Sequence, residues 1–165
     1  MLTPFLLSQI LVFFALLADI ASFQCKERKN ILLFFTISAT LLACHYFLLD
    51  RYTAFLLVFM SAIRYAIAYF STRKEWMYLF IAISTVATII LYKDFLDIIM
   101  YIANVIGSIV AFQKSDKSLR LLAMSWTSLV IVYNILVKTP MGVLIETIFL
   151  LSNFVGYYRY YLRKK

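Results

Sequence analysis

Charged residues and prolines divide this chain into apolar stretches of one recurring length, and that length matches the thickness of a bilayer. The stretches lie at 3–23, 31–49, 53–71, 77–92, 95–113, 120–137 and 141–159. A helix needs about 20 apolar residues, within a range of about 17–25, to cross ~30 Å of hydrocarbon. Seven such stretches predict seven transmembrane helices, the fourth being the shortest. The connections at 24–30, 50–52, 72–76, 93–94, 114–119 and 138–140 are short, so consecutive helices are expected to run antiparallel side by side, with no room between them for a soluble domain.

Composition supports the same solvent. Of the 165 residues 64% are hydrophobic and 15% charged, against roughly 45–50% and about 25% in a soluble domain. A chain of this size cannot hide that much apolar surface in a core of its own. A soluble enzyme, a nucleic-acid-binding domain and a disordered tail are therefore excluded. The net charge of +8 is read as topology. Lys26, Arg28, Lys29, Arg73, Lys74, Lys114, Lys117, Arg120, Arg159, Arg163, Lys164 and Lys165 gather on one side. Arg51, Lys93 and Lys138 stand on the other, and Arg64 lies inside a span. Twelve against three places the N-terminus outside and the C-terminus in the cytoplasm. The first span lacks a basic leader, since its first positive charge is Lys26 on the far side, so it is expected to stay in the mature protein as a helix. Cys25 and Cys44 are too few for a disulfide framework and fall at different depths.

Polar groups inside the spans are few enough to follow singly. The ionisable ones are Asp19, His45, Arg64, Glu146 and, near a span end, Asp97; the amides are Gln9, Asn104, Asn134 and Asn153. On insertion scales a charge at the bilayer centre costs at least ~2.5–3.5 kcal/mol, so each needs a partner or water. Helical spacing puts Asp97, Tyr101, Asn104 and Ser108 in one stripe. Ser38 and His45, Thr127 and Asn134, and Glu146 and Asn153 are each seven residues apart on their helices, and Ser8, Val12, Ala15 and Asp19 share a face of the first. Two readings stand side by side: interhelical glue, worth roughly 0.6 kcal/mol per group, or the lining of a polar cavity. Asp19 and Arg64 can form a structural ion pair or serve function. Adjacent Cys44 and His45 point to different faces, which argues against a metal site. Trp76 reads as an interfacial anchor and Trp126, one turn deeper, as packing.

No HExxH pair, GxSxG elbow or glycine-rich phosphate loop is present, and one His with three Gly leaves little for catalysis. The chain is read as a non-enzyme without a cofactor. Seven spans divide as three, one and three, and the odd fourth leaves the two triplets in the same orientation. The hairpin H-Y-F-L-L-D-R-Y-T (45–53) can be laid on Y-N-I-L-V-K-T-P-M (133–141), each followed by a long helix that ends in a basic run. Parallel repeats of this kind are one transporter plan, with the solute near mid-membrane.

The segment 45–53, the following S-A-I-R-Y (61–65) and E-T-I-F-L-L-S-N-F-V-G-Y-Y-R (146–159) resemble the bacterial inner-membrane YgjV-like proteins. That resemblance implies location in the inner membrane and carries no assigned activity. More distantly, the three-one-three layout is similar to SWEET sugar facilitators, PQ-loop proteins and nicotinamide-riboside importers. In SWEET-like proteins an Asn on the third helix of each repeat faces the solute. The resemblance puts those positions at Ser61 and Asn153, with Ser61 replacing the amide and the Pro-Gln signature of the first helix missing.

The expected architecture is an all-α polytopic membrane protein with a SWEET-like 3+1+3 plan: a first triple-helix repeat at 3–71, a linker helix at 77–92, a second repeat at 95–159 and a basic tail at 160–165. The expected role is to facilitate passage of a small polar solute through a cavity between the repeats. Ser61, Arg64, Asn104, Asn153 and Glu146 line it, with Arg64 and Glu146 pairing with charged solute groups or with each other. The rival is a non-transporting scaffold or accessory subunit whose basic ends hold anionic lipid or a partner protein. Lipid is a partner in either case, nucleic acid is not, and monomer and homodimer both stay open.

Overall fold

A computed structural model describes residues 4–48, 52–92, 95–136, 138 and 140–163. The predicted connections through Asp50, Arg51, Lys93 and Thr139, and the terminal Lys164 and Lys165, lie outside these. Seven α-helices are present among the described residues: α1 Pro4–Gln24, α2 Arg28–Leu48, α3 Tyr52–Phe70, α4 Lys74–Leu91, α5 Phe95–Ala111, α6 Asp116–Leu136 and α7 Pro140–Tyr157. After α7 the chain widens into a π-helical turn, Tyr158–Leu162, closed by Arg163 N–H donating to the Tyr158 carbonyl at 2.8 Å.

Helix ends differ from the apolar boundaries mainly on the basic side. α2, α4 and α6 each begin three or four residues before their apolar stretch, at Arg28, Lys74 and Asp116. Hydrocarbon limits which residues are apolar but does not end a helix, so a charged first turn continues into the headgroup layer. Glu75 and Asp116 also sit where the helix N-terminus favours negative charge. The added turn brings α4 to 18 residues, and α5, with 17, is the shortest helix. Among the described residues α1 and α6 are each long and apolar enough alone to cross a membrane.

The chain divides into two compact units, residues 1–70 and 71–165. In the first, α2 packs against both α1 and α3; in the second, α5 packs against α4 and α6, and α6 against α7. Small residues make these contacts. Ser8, Ala15, Ala18 and Ser22 are the buried face of α1, Ala39 and Ala43 lie buried on α2, and Ala103, Gly107 and Ala111 form a four-residue ladder on α5. Large apolar side chains face outward instead, from Phe5, Phe13 and Phe14 to Ile89, Ile90 and Phe154. Lipid is as apolar as leucine, so helices in a bilayer associate through close backbone approach, and small residues permit it. Larger side chains fill the remaining space: Phe23, Ile31, Leu32 and Leu119 are fully buried, and Phe23 meets Phe35 edge-on at 5.4 Å while Phe35 meets Tyr65 at 5.3 Å.

Local geometry repeats along the chain. Cys25 N–H donates to Ser22 O at 3.3 Å and Ile31 N–H to Glu27 O at 3.1 Å; 88 residues on, Gln113 N–H donates to Val110 O at 3.2 Å and Leu119 N–H to Ser115 O at 3.0 Å. Buried positions follow the same interval. Ala15, Phe23, Ile31, Leu32, Phe35 and Ala39 are buried, and so are Ala103, Ala111, Leu119, Arg120, Ala123 and Thr127. The 45–53 and 133–141 hairpins stand at this interval too, and α3 and α7 start at residues 52 and 140.

Candidate functional site

Polar residues within each unit separate into those satisfied by the fold and those that are not. In the first unit, His45 Nδ1 lies 3.0 Å from the Ser8 carbonyl, tying α2 to α1. The Asp19 carboxyl of α1 meets the Ser38 hydroxyl of α2. On α3 the buried Arg64 sends Nη2 to Ser61 Oγ at 3.4 Å, and its guanidinium sits over the Tyr65 ring at 5.2 Å. Ser61 and Arg64 thus form a local pair one turn apart. Arg28, at the start of α2, donates from Nη2 to the Ala68 carbonyl at 2.7 Å and satisfies a backbone oxygen of α3's last turn.

In the second unit the stripe 97–101–104–108 is divided. Tyr101 reaches the Thr85 hydroxyl of α4 at 2.9 Å, while the fully buried Ser108 donates to the Asn104 carbonyl at 3.0 Å. Asn104 and Glu146 are half-buried. Asn153 is fully buried and donates from Nδ2 to the Arg120 carbonyl at 2.8 Å, which fastens α7 to α6.

Arg120 is where the structure departs most from the charge count. Assigned to the basic side as a topology residue, it is the largest fully buried side chain among the described residues. Its guanidinium lies over the Tyr160 ring at 5.4 Å, and the π-helical turn that carries Tyr160 also presents Tyr161, whose hydroxyl donates to Asp116 Oδ2. Lys117 Nζ stands 5.9 Å from the Tyr161 ring centre. A π-helical turn re-aims the side chains it carries, and here two consecutive tyrosines both reach α6. The signal in the sequence was a heptad: Arg120, Thr127 and Asn134 continue one face of α6, and Glu146 and Asn153 share one face of α7, with Tyr160 seven residues further on in the π-helical turn.

The register of this seam follows from two contacts. Asn153 meets Arg120, and the Phe149 ring meets Trp126 edge-on at 5.8 Å. With the helices antiparallel, Thr127 lies at about the level of Glu146. Asn153 Oδ1 and Thr127 Oγ1 are both buried without a hydrogen-bond partner among the described residues. Each such atom costs about 1–3 kcal/mol of desolvation, so the seam holds polar capacity that the resting fold does not use.

Burial, together with the hydrogen bond to Asp116, pushes the Tyr161 phenol up to about 12. A raised folded pKa means stability present below the free tyrosine value of about 10 and lost as pH climbs through the folded one. An absorbance titration should show one of the 12 tyrosines ionising late. In Tyr161→Phe that late step is expected to vanish, with α7's end loosened at neutral pH and the remaining tyrosines unchanged.

Large apolar side chains turned outward on all seven helices require a lipid environment. Residues 6–164 match the family Imp-YgjV, described as bacterial inner membrane protein. The chain belongs to this family. It is a protein of the bacterial inner membrane, and the basic ends and outward phenylalanines of this Imp-YgjV member acquire their setting from that. No curated protein and no solved structure matches the chain, so the likeness to SWEET facilitators rests on layout alone. Of the two tryptophans, Trp76 is exposed as an interfacial anchor would be, and Trp126 packs against Phe149.

Proposed function

We propose that the protein facilitates passage of a small polar solute across the inner membrane, without a catalytic step, using polar faces of its helices. The observation that carries this reading is that two buried oxygens of the α6–α7 seam, Asn153 Oδ1 and Thr127 Oγ1, have no hydrogen-bond partner among the described residues. Glue between helices would be hydrogen-bonded in the resting state; capacity left open is what a passing solute can use. The 88-residue recurrence of turn hydrogen bonds and buried positions supports two triple-helix repeats, 3–71 and 95–159, joined by α4. The excess of Lys and Arg at the ends of α1, α3, α5 and α7 supports an N-terminus outside and a C-terminus in the cytoplasm.

Single cysteines at 61, 104 and 153, placed in a variant lacking Cys25 and Cys44, test the reading. A membrane-impermeant maleimide is expected to label positions 104 and 153 in native membranes, because a solute route must admit water at that depth. Protection of all three positions, equal to that of an outward site such as Phe154, would remove the route. A second reading draws on Lys26, Lys29, Arg73, Lys74, Lys114 and Arg159, all exposed at the basic ends. As a scaffold, the protein would hold anionic lipid there.

A further inference from the structure

The 88-residue interval also relates two corners of the molecule, one where α2 starts beside the end of α3, the other where α6 starts beside the end of α7. Of the six residues 25–30, two recur in 113–118: Lys26 returns as Lys114 and Lys29 as Lys117, all four exposed. The positions around them change, and half-buried Arg28 becomes half-buried Asp116. Neighbouring rings recur at the ends of α3 and α7, Tyr69 and Phe70 as Tyr157 and Tyr158, with Phe70 86% and Tyr158 52% exposed. Lys29 Nζ lies 5.7 Å from the Tyr69 ring centre. Lys117 Nζ lies 5.9 Å from that of Tyr161, a ring that meets Tyr157 at 5.2 Å.

Each corner therefore presents two ammonium groups beside an outward ring. The nearby carboxylates have other donors: Glu27 Oε2 accepts from Asn30 Nδ2 at 3.5 Å, and Asp116 Oδ2 accepts from the Tyr161 hydroxyl. None of the four lysines forms an ion pair among the described residues. Orientation does not account for the recurrence, because a Lys/Arg excess acts wherever it falls in the segments flanking a span. What the two corners keep is the chemistry of the headgroup layer, a cation for phosphate and a ring for the boundary with hydrocarbon. Residues three apart at a helix start are neighbours, so both lysine side chains can converge on one phosphate. A protein partner would meet one corner; a ligand served by the same groups at two corners of one chain is one that surrounds the molecule. We propose that each corner binds one anionic phospholipid, its phosphate held by Lys26 and Lys29 in the first unit and by Lys114 and Lys117 in the second, with Phe70 or Tyr158 against its glycerol and upper acyl chain. The orientation proposed above puts both lipids in the cytoplasmic leaflet, and such binding serves facilitator and scaffold alike.

Native mass spectrometry of the purified full-length protein, titrated in detergent with phosphatidylglycerol or with phosphatidylcholine of the same acyl chains, tests both sites. The protein is expected to retain two molecules of phosphatidylglycerol in preference to phosphatidylcholine. The pair Lys26→Gln with Lys29→Gln, and the pair Lys114→Gln with Lys117→Gln, should each retain one, the altered site being weakened roughly tenfold or more. The corresponding Lys→Arg pairs keep the charge and should retain both. So should Lys138→Gln with Arg163→Gln, which removes as many cations from outside the corners. Equal retention of phosphatidylcholine, or displacement of the lipid by millimolar inorganic phosphate, overturns the anionic-lipid assignment. Equal loss in the Lys138 and Arg163 variant replaces the two sites with a diffuse field of charge and overturns them. Two lipids retained by both Lys→Gln pairs place the binding elsewhere, and none retained by the native protein overturns the proposal outright. None of these outcomes bears on the facilitator reading, whose test is the maleimide labelling of positions 104 and 153.

Discussion

Thr127→Val is expected to make the protein more stable, not less. The Thr127 hydroxyl is buried without a partner among the described residues, and valine keeps the shape while removing the polar atom. A buried unsatisfied group costs about 1–3 kcal/mol, and the unfolded chain in a membrane also finds partners, so a gain of about 1 kcal/mol is expected. The control is the same substitution at Thr147, whose hydroxyl donates to the Val143 carbonyl at 2.7 Å. Thr147→Val removes a satisfied bond and is expected to be neutral or mildly destabilising. Thermal unfolding of the two variants should therefore move in opposite directions, or Thr127→Val alone should rise. Equal loss from both would mean that the Thr127 hydroxyl is satisfied in the folded protein.

Two substitutions at Arg120 are expected to separate volume from charge. Arg120→Ala removes a fully buried side chain and the ring contact with Tyr160, leaving a cavity between α6 and α7. By analogy with large-to-small changes in packed cores, the loss is about 2–5 kcal/mol, seen as an early melting transition. Arg120→Leu refills most of that volume with the residue found at position 32. The Asn153 bond to the main-chain oxygen of residue 120 survives either change. The cost of burying a guanidinium disappears with the charge, so Arg120→Leu should melt within about 1 kcal/mol of the native protein. If Arg120→Leu is as unstable as Arg120→Ala, the guanidinium holds the seam together and its role is structural.

The helices were legible because a bilayer prescribes their length, and seven apolar runs of that length leave little choice. Their basic-side ends were less so, since hydropathy marks where hydrocarbon stops and Arg28, Lys74 and Asp116 continue the helix beyond it. Arg120 shows a sharper limit. A Lys/Arg count assigns every cation near a span end to the water, yet the π-helical turn brings Tyr160 over this one and buries it. Nothing in the run Y-Y-R-Y-Y-L announces such a turn. Glu146 and Asn153 were legible as one face from their heptad spacing. The heptad of Thr127 and Asn134 pointed back to Arg120 one step further, where a topology residue had already been assigned.

The edge-on contact between Trp126 and Phe149 has a practical side. Indole emission responds to the polarity and packing around its ring, and the protein contains two tryptophans. Trp76 sits exposed at the end of α4, whereas Trp126 stands beside Thr127 on the helix that forms the seam. Replacing Trp76 with phenylalanine would leave a single emitter next to the unsatisfied hydroxyl. The protein thus contains its own optical reporter, able to register events at the seam in intact vesicles without a label.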